Sequence, residues 1–226
     1  MSAPRFFRWL LRRIRGLLAL LLVLLVLAVL ARHRLYAFLG PDRPADSSVL
    51  VLEGWVSDDA LQAAVDWADA HGVRTLCLTG GPIELGSWLA PWRSWPEMTL
   101  ARLEAIGATD RFDVRAVPAP RTRKDRTFAS AVALRDALGP DVPPAMTLAS
   151  ESPHLRRSAL LFRRAFGGAS EIGTLPLPPL DFDGSDWYRC SAGVRSLLSE
   201  SIAYLYALLA TPEPPAPPDT GVPAAP

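Results

Sequence analysis

The longest apolar stretch of the chain is Gly16–Ala31, GLLALLLVLLVLAVLA, sixteen residues without a charge. As a helix rising about 1.5 Å per residue it spans ~24 Å, a little short of a ~30 Å hydrocarbon core. Leu35–Leu39 extends the apolar stretch through the interface, and flanking arginines can snorkel. Arg5, Arg8, Arg12, Arg13 and Arg15 precede the run; Arg32, Arg34 and Arg43 follow it. That excess at the front predicts an uncleaved single-span anchor, with its N-terminus in the cytoplasm and the rest outside. A cleaved signal peptide ending at Val29-Leu30-Ala31 is the rival reading.

The body of the chain then alternates two periods. Short β-branched and apolar runs, the pattern of buried parallel strands, fall at Ser48–Leu52, Arg74–Thr79, Phe112–Val117, Ala145–Ala149 and Glu171–Leu175. Between them, residues with helical spacing predict helices over Asp58–Ala70, Met98–Ile106, Asp125–Leu138 and Ser152–Phe166, with Ser152 as N-cap. A last helix is predicted over Val194–Leu209. Five strand-then-helix units predict an α/β fold, a Rossmann-like doubly wound parallel sheet of about five strands, preceded by one transmembrane helix. The expected strand order is 3-2-1-4-5, with 2-1-3-4-5 as the alternative. The chain divides into a basic cytoplasmic segment (1–15), an anchor (16–39), the Rossmann-like domain (48–210) and a Pro-rich disordered tail (211–226).

Charge sharpens this division. Residues 1–34 hold seven arginines and no acid, which leaves the rest of the chain with a net charge of −6. A mildly acidic domain argues against general nucleic-acid binding. Two cysteines exclude a disulfide scaffold, and His33, His71 and His154 are too dispersed for a zinc cluster. Cys77 and Cys190 are expected to be free thiols, and His71 a helix-end residue.

In a doubly wound sheet, ligands bind at the carboxyl ends of the strands, near the switch in strand order. That rule selects Glu53-Gly54-Trp55, Thr79-Gly80-Gly81, Pro118–Arg126 and Ser150–Arg157. Together with Trp187–Gly193 and Glu200, these loops in this order resemble the bacterial YdcF/SanA/ElyC-like family. The likeness is greatest to a branch with EGW, TGGP, RT…SA and H-x-RRS loops, and it covers about Ser48–Leu209. The resemblance implies a Rossmann-like domain behind a membrane span and a role in cell-envelope integrity. The third loop departs from the better-known branch. Where that branch has an acidic residue and Thr-x-x-Asn, this chain is basic, Arg121-Thr122-Arg123-Lys124-Asp125-Arg126.

The residues suggest anion chemistry. Gly54, Gly80 and Gly81 at strand ends could let backbone N–H groups approach an anion, or simply make tight turns. His154, Arg156 and Arg157, with Ser152, stand at a helix start that favours anions. Arg126 can fork onto a phosphate beside Thr127, or belong to an ordinary solvated loop. Glu53, a carboxylate ending a buried strand, could be a general base, a holder of a sugar hydroxyl, or the partner of an arginine. Asp58 and Asp59 read as helix N-terminal charges, and Glu200 as a brace of the last helix. Trp88, Trp92 and Trp95 could form a lid, sit at the membrane interface or cap the core. The sequence holds no G-x-S-x-G and no H-E-x-x-H. It names no cofactor and no metal ligand set. Three functions stay open. The first is binding of a phosphorylated small molecule or lipid-linked precursor. The second is hydrolysis or transfer on such a substrate with Glu53 and His154 as acid and base. The third is a non-catalytic envelope scaffold using the Trp loop and the tail.

Overall fold

The structure, a computed structural model, describes residues 3–84 and 89–213. Trp88 and the tail from Pro214 onward lie outside the described residues. Helix α1 (Ala3–Leu39) leads into β1 (Val49–Glu53), α2 (Asp58–Ala70), β2 (Thr75–Gly80), α3 (Trp95–Ala105) and β3 (Asp113–Pro118). Then follow α4 (Arg126–Leu138), β4 (Ala145–Glu151), α5 (Ser152–Phe166), β5 (Glu171–Leu177) and α6 (Ser191–Leu209). All strand pairs are parallel and the order is β3-β2-β1-β4-β5, the first of the two predicted orders.

The strand alternation explains the two-sided core. Leu50, Leu52, Leu76 and Leu78 point to one face and pack against Ala60, Leu61, Ala64 and Val65 of α2 and Leu103 of α3. Val51, Cys77, Met146 and Leu148 point to the other, against Phe128, Ala131 and Leu134 of α4 and Leu155, Ala159 and Phe162 of α5. Helices thus cover both faces, and the central strands β1, β2 and β4 are buried almost throughout, while the edge strand β3, DVRAVP, is exposed or half-buried along its length.

Local signals set the helix starts. Ser57 caps α2 by accepting from the Ala60 N–H at 3.2 Å, and Asp58 and Asp59 occupy the positive end of that helix. Ser94 and Glu97 form a capping box at α3, so this helix begins at Trp95, three residues before the predicted Met98. Strand β4 runs through Glu151 directly into α5. Ser152 is therefore the first helical residue rather than the cap, and Pro153 follows it.

α1 is one unbroken helix whose C-terminal turns pack on the domain: Leu35, Tyr36 and Leu39 join Phe182, Trp187 and Leu197 in a third apolar cluster. Among the described residues no helix is long and apolar enough to cross a membrane. Arg12, Arg13 and Arg15 interrupt the described part of α1 on one side, and the apolar run continues through Ala28 and Ala31, whose side chains are not described.

Candidate functional site

The switch in strand order lies between β1 and β4. Their carboxyl ends open into a cleft of about 740 Å³. Its floor is built from Glu53 at the end of β1, His154 and Arg157 on the first turns of α5, and Glu200 on α6.

Glu53 is 3% exposed. Its Oε2 accepts from Ser150 Oγ at 2.5 Å and from Ser158 Oγ at 3.1 Å. His154 Nε2 stands 3.7 Å from the same oxygen. The expected alternative of an arginine partner does not hold. Two hydroxyls satisfy the carboxylate, because strand β4 and the second turn of α5 bring serines, not arginines, against it.

His154 is held on its other side. Nδ1 lies 3.0 Å from Glu200 Oε1 and 2.8 Å from Arg157 Nη2. One tautomer donates from Nδ1 to Glu200 and leaves the Nε2 lone pair beside Glu53. The other accepts from Arg157 at Nδ1 and carries its proton on Nε2. Trp55 packs edge-on against the imidazole, with ring centres 5.0 Å apart. Arg157 also donates from Nε to Glu200 Oε2 at 2.9 Å. Burial alone would raise the Glu200 carboxyl. The hydrogen bond and charge of His154, then those of Arg157, outweigh it and hold the group down to about 2. Glu151, a further carboxylate in the cleft, is pushed up by burial, partly countered by the Ser57 N–H it accepts.

The rim is different. Arg123, Arg126 and Thr127 border the cleft from the loop before α4 and its first turn. The Arg126 side chain is 74% exposed and only 4.0 Å-close to Glu84, while Arg121 pairs with Glu84 at 3.4 Å. Asp125 turns the chain into α4 in the left-handed region, φ 51°, which Asp tolerates better than most residues. Its side chain makes no cap hydrogen bond. Among the described residues, Arg126 has only Glu84 at 4.0 Å and Arg123 has no ion-pair partner within 4 Å, so both are cations at the cleft edge.

Several predicted ligand residues lie elsewhere or act otherwise. Arg156 faces away from the cleft: its Nε donates to the Phe38 carbonyl and its guanidinium stacks 4.0 Å from the Phe38 ring. The reason is helix phase, since neighbours on a helix differ by about 100° and only one of Arg156 and Arg157 can face the cleft. Ser152 is buried against Gly40 at the end of α1 and does not reach the cleft. Gly54 and Gly80 both pack on Trp95, a Cβ at either standing 3.0 Å from its backbone or Cβ; Gly80 also lines the cleft, whereas Gly54 does not. Gly81 borders the cleft with open space around it. Trp95 is fixed in the first turn of α3 and is part of the frame rather than a lid.

The sequence reading missed Glu200 as a site residue, along with Ser150, Ser158 and Arg123. Glu200 carries the one legible signal, as the sole charge in α6 after Arg195. Among the described residues, no group of His, Cys, Asp or Glu is arranged to hold a metal ion. Cys77 and Cys190 are both free thiols, and Cys190 caps α6 by accepting from the Gly193 N–H.

Fold and site together define a doubly wound α/β protein with an acid–base cluster at the switch point and a basic rim above it. No family model matches the chain, and no curated protein does.

Proposed function

We propose that this chain is a membrane-anchored domain that binds a phosphate- or pyrophosphate-bearing metabolite in bacterial cell-envelope biogenesis or maintenance. The observation that carries the binding reading is the division of one cleft into a floor whose buried charges satisfy one another and a rim where Arg126, 74% exposed, is only loosely paired with Glu84 at 4.0 Å. A phosphate is the ligand that rewards such a rim. Guanidinium forks match its oxygens, and the first N–H groups of α4 add to the same field. The loop resemblance to the YdcF/SanA/ElyC-like family supports the envelope setting. The anchor reading is supported by α1, where Leu17, Leu18, Leu20, Leu22, Val23 and Leu24 are each more than half exposed. A helix apolar on every side needs a surrounding of lipid or protein. The arginine excess before the run supports a domain on the outer side of the plasma membrane.

A second reading is a hydrolase or transferase acting on such a substrate. Its specific support is His154, oriented by Glu200 at one nitrogen and facing Glu53 with the other, the arrangement a proton-transferring imidazole needs. One experiment covers both readings. The full chain is purified in detergent, and the small molecules leaving with it are identified by mass spectrometry. Turnover is then assayed on phosphorylated lipids and nucleotides. A phosphate-bearing passenger supports the binding reading. Turnover lost in His154→Gln, with binding retained, supports the enzyme. A passenger without phosphate, or none together with no binding to the panel, contradicts both.

A further inference from the structure

The end of α1 is seated on the same edge of the sheet as the cleft. Gly40 lies so close to Ser152, at the start of α5, that a Cβ there would overlap its hydroxyl. Tyr36 fills the space beside Gly184 in the same way. Arg156 joins α5 to the Phe38 carbonyl and ring, and the Phe38 ring meets Tyr204 of α6 edge-on at 5.8 Å. Trp187 Nε1 donates to the Arg32 carbonyl at 3.1 Å, and the Arg32 guanidinium lies 4.5 Å over Tyr188. The start of α5 and the segment after β5 both belong to the carboxyl edge.

The chain direction confirms the approach. After Gly40 it runs back down the sheet: Arg43 bridges antiparallel to Thr174, Ala45 donates to Thr147, and Ser47 donates to the Ala145 carbonyl at the amino end of β4. Helix α1 therefore reaches the domain from the carboxyl side. It is continuous through Leu39, so no hinge separates the apolar run from these contacts.

We infer that the cleft opens toward the bilayer and takes its phosphate from a membrane lipid rather than from a freely diffusing metabolite. The inference rests on the proposed anchor and on the phosphate reading. Nine residues of helix from Ala31 to Gly40 correspond to ~14 Å, against a headgroup layer of roughly 5–8 Å on each side of the hydrocarbon. A phosphate borne on a lipid headgroup needs to rise only a short way to reach the rim.

The test uses the full chain with Cys190→Ser, in vesicles of equal parts phosphatidylcholine and phosphatidate. A fluorophore is placed on Lys124→Cys, exposed in the rim loop, or on Asp141→Cys, exposed in the turn between α4 and β4 at the amino edge. A quencher on lipid headgroups should cause loss of the Lys124-site emission and leave the Asp141-site emission intact. Equal quenching, or more at the Asp141 site, overturns the inference. In a second arm, inorganic pyrophosphate is bound in detergent, and the protein is then moved to bilayers. Phosphatidate in the bilayer should displace it and phosphatidylcholine alone should not; no displacement overturns the lipid source. Pyrophosphate binding with equal quenching leaves the phosphate reading standing without the membrane-facing cleft. Binding to neither pyrophosphate nor phosphatidate removes the phosphate reading, and the inference with it.

Discussion

The floor and the rim of the cleft hold similar numbers of charges and use them differently. On the floor, Glu53, His154, Arg157 and Glu200 are half-buried or buried, and every one has partners among the others or in nearby serines. On the rim, Arg126 stands in water 4.0 Å from Glu84, which Arg121, just outside the cleft, also pairs with at 3.4 Å. A buried charge costs free energy unless it is paired, so the floor is part of what the fold must satisfy. An exposed pair contributes little, so the rim is free to serve a ligand. Basic residues of one sequence neighbourhood can therefore differ wholly in role.

Removing one floor partner should break the comparison most severely. Glu200→Ala leaves Arg157, with 18% of its side chain exposed, without its carboxylate. The expected cost is about 3 kcal/mol, the lower end for a broken buried pair, measured by urea unfolding. Arg121→Ala beside the rim should cost no more than about 0.5 kcal/mol in the same assay. The glycines divide along the same line. Gly54→Ala drives a Cβ into Trp95 and should destabilise by about 1–3 kcal/mol, whereas Gly81→Ala meets open space and should leave the midpoint nearly unchanged.

Acid sharpens the contrast further. The Glu200 carboxyl is held down to about 2 in the folded protein, against about 4.3 in an unfolded chain. Its depressed value contributes stability that is present above pH ~4.3 and lost as pH falls toward 2. Unfolding midpoints of wild type should fall through that window, and the Glu200→Gln profile should be flatter there. Identical profiles would mean that Glu200 is not the group held by His154 and Arg157.

The sheet was legible because its central strands β1, β2 and β4 are buried on both faces and read as apolar runs, and because strands and helices alternate along the chain. The switch-point rule led to four loops that line the cleft. What the sequence hid was orientation. Arg156 and Arg157 are adjacent letters on opposite sides of α5, and only packing against α1 and α6 decides which one enters the cleft. Ser152 looked like a cap because nothing local says that β4 runs straight into the helix. Gly54 and Gly80 looked like an anion cradle because nothing local shows that the loop after β2 brings Trp95 back against both. Glu200 joins His154 across 46 residues, a contact set by the packing of α6 on α5.

The central claim, capture of phosphate by the rim above a self-satisfied floor, is tested most directly by calorimetric titration of inorganic pyrophosphate into the full chain in detergent. Hydrogen bonds to a charged partner contribute roughly 1.5–3 kcal/mol. Arg126→Ala should therefore weaken binding by about tenfold to a hundredfold, since ~1.4 kcal/mol is a factor of ten. Arg156→Ala should leave the affinity unchanged, because its guanidinium sits on Phe38 and not in the cleft. Arg126→Ala binding as tightly as wild type would contradict the account, and the basic loop would then be an ordinary solvated surface.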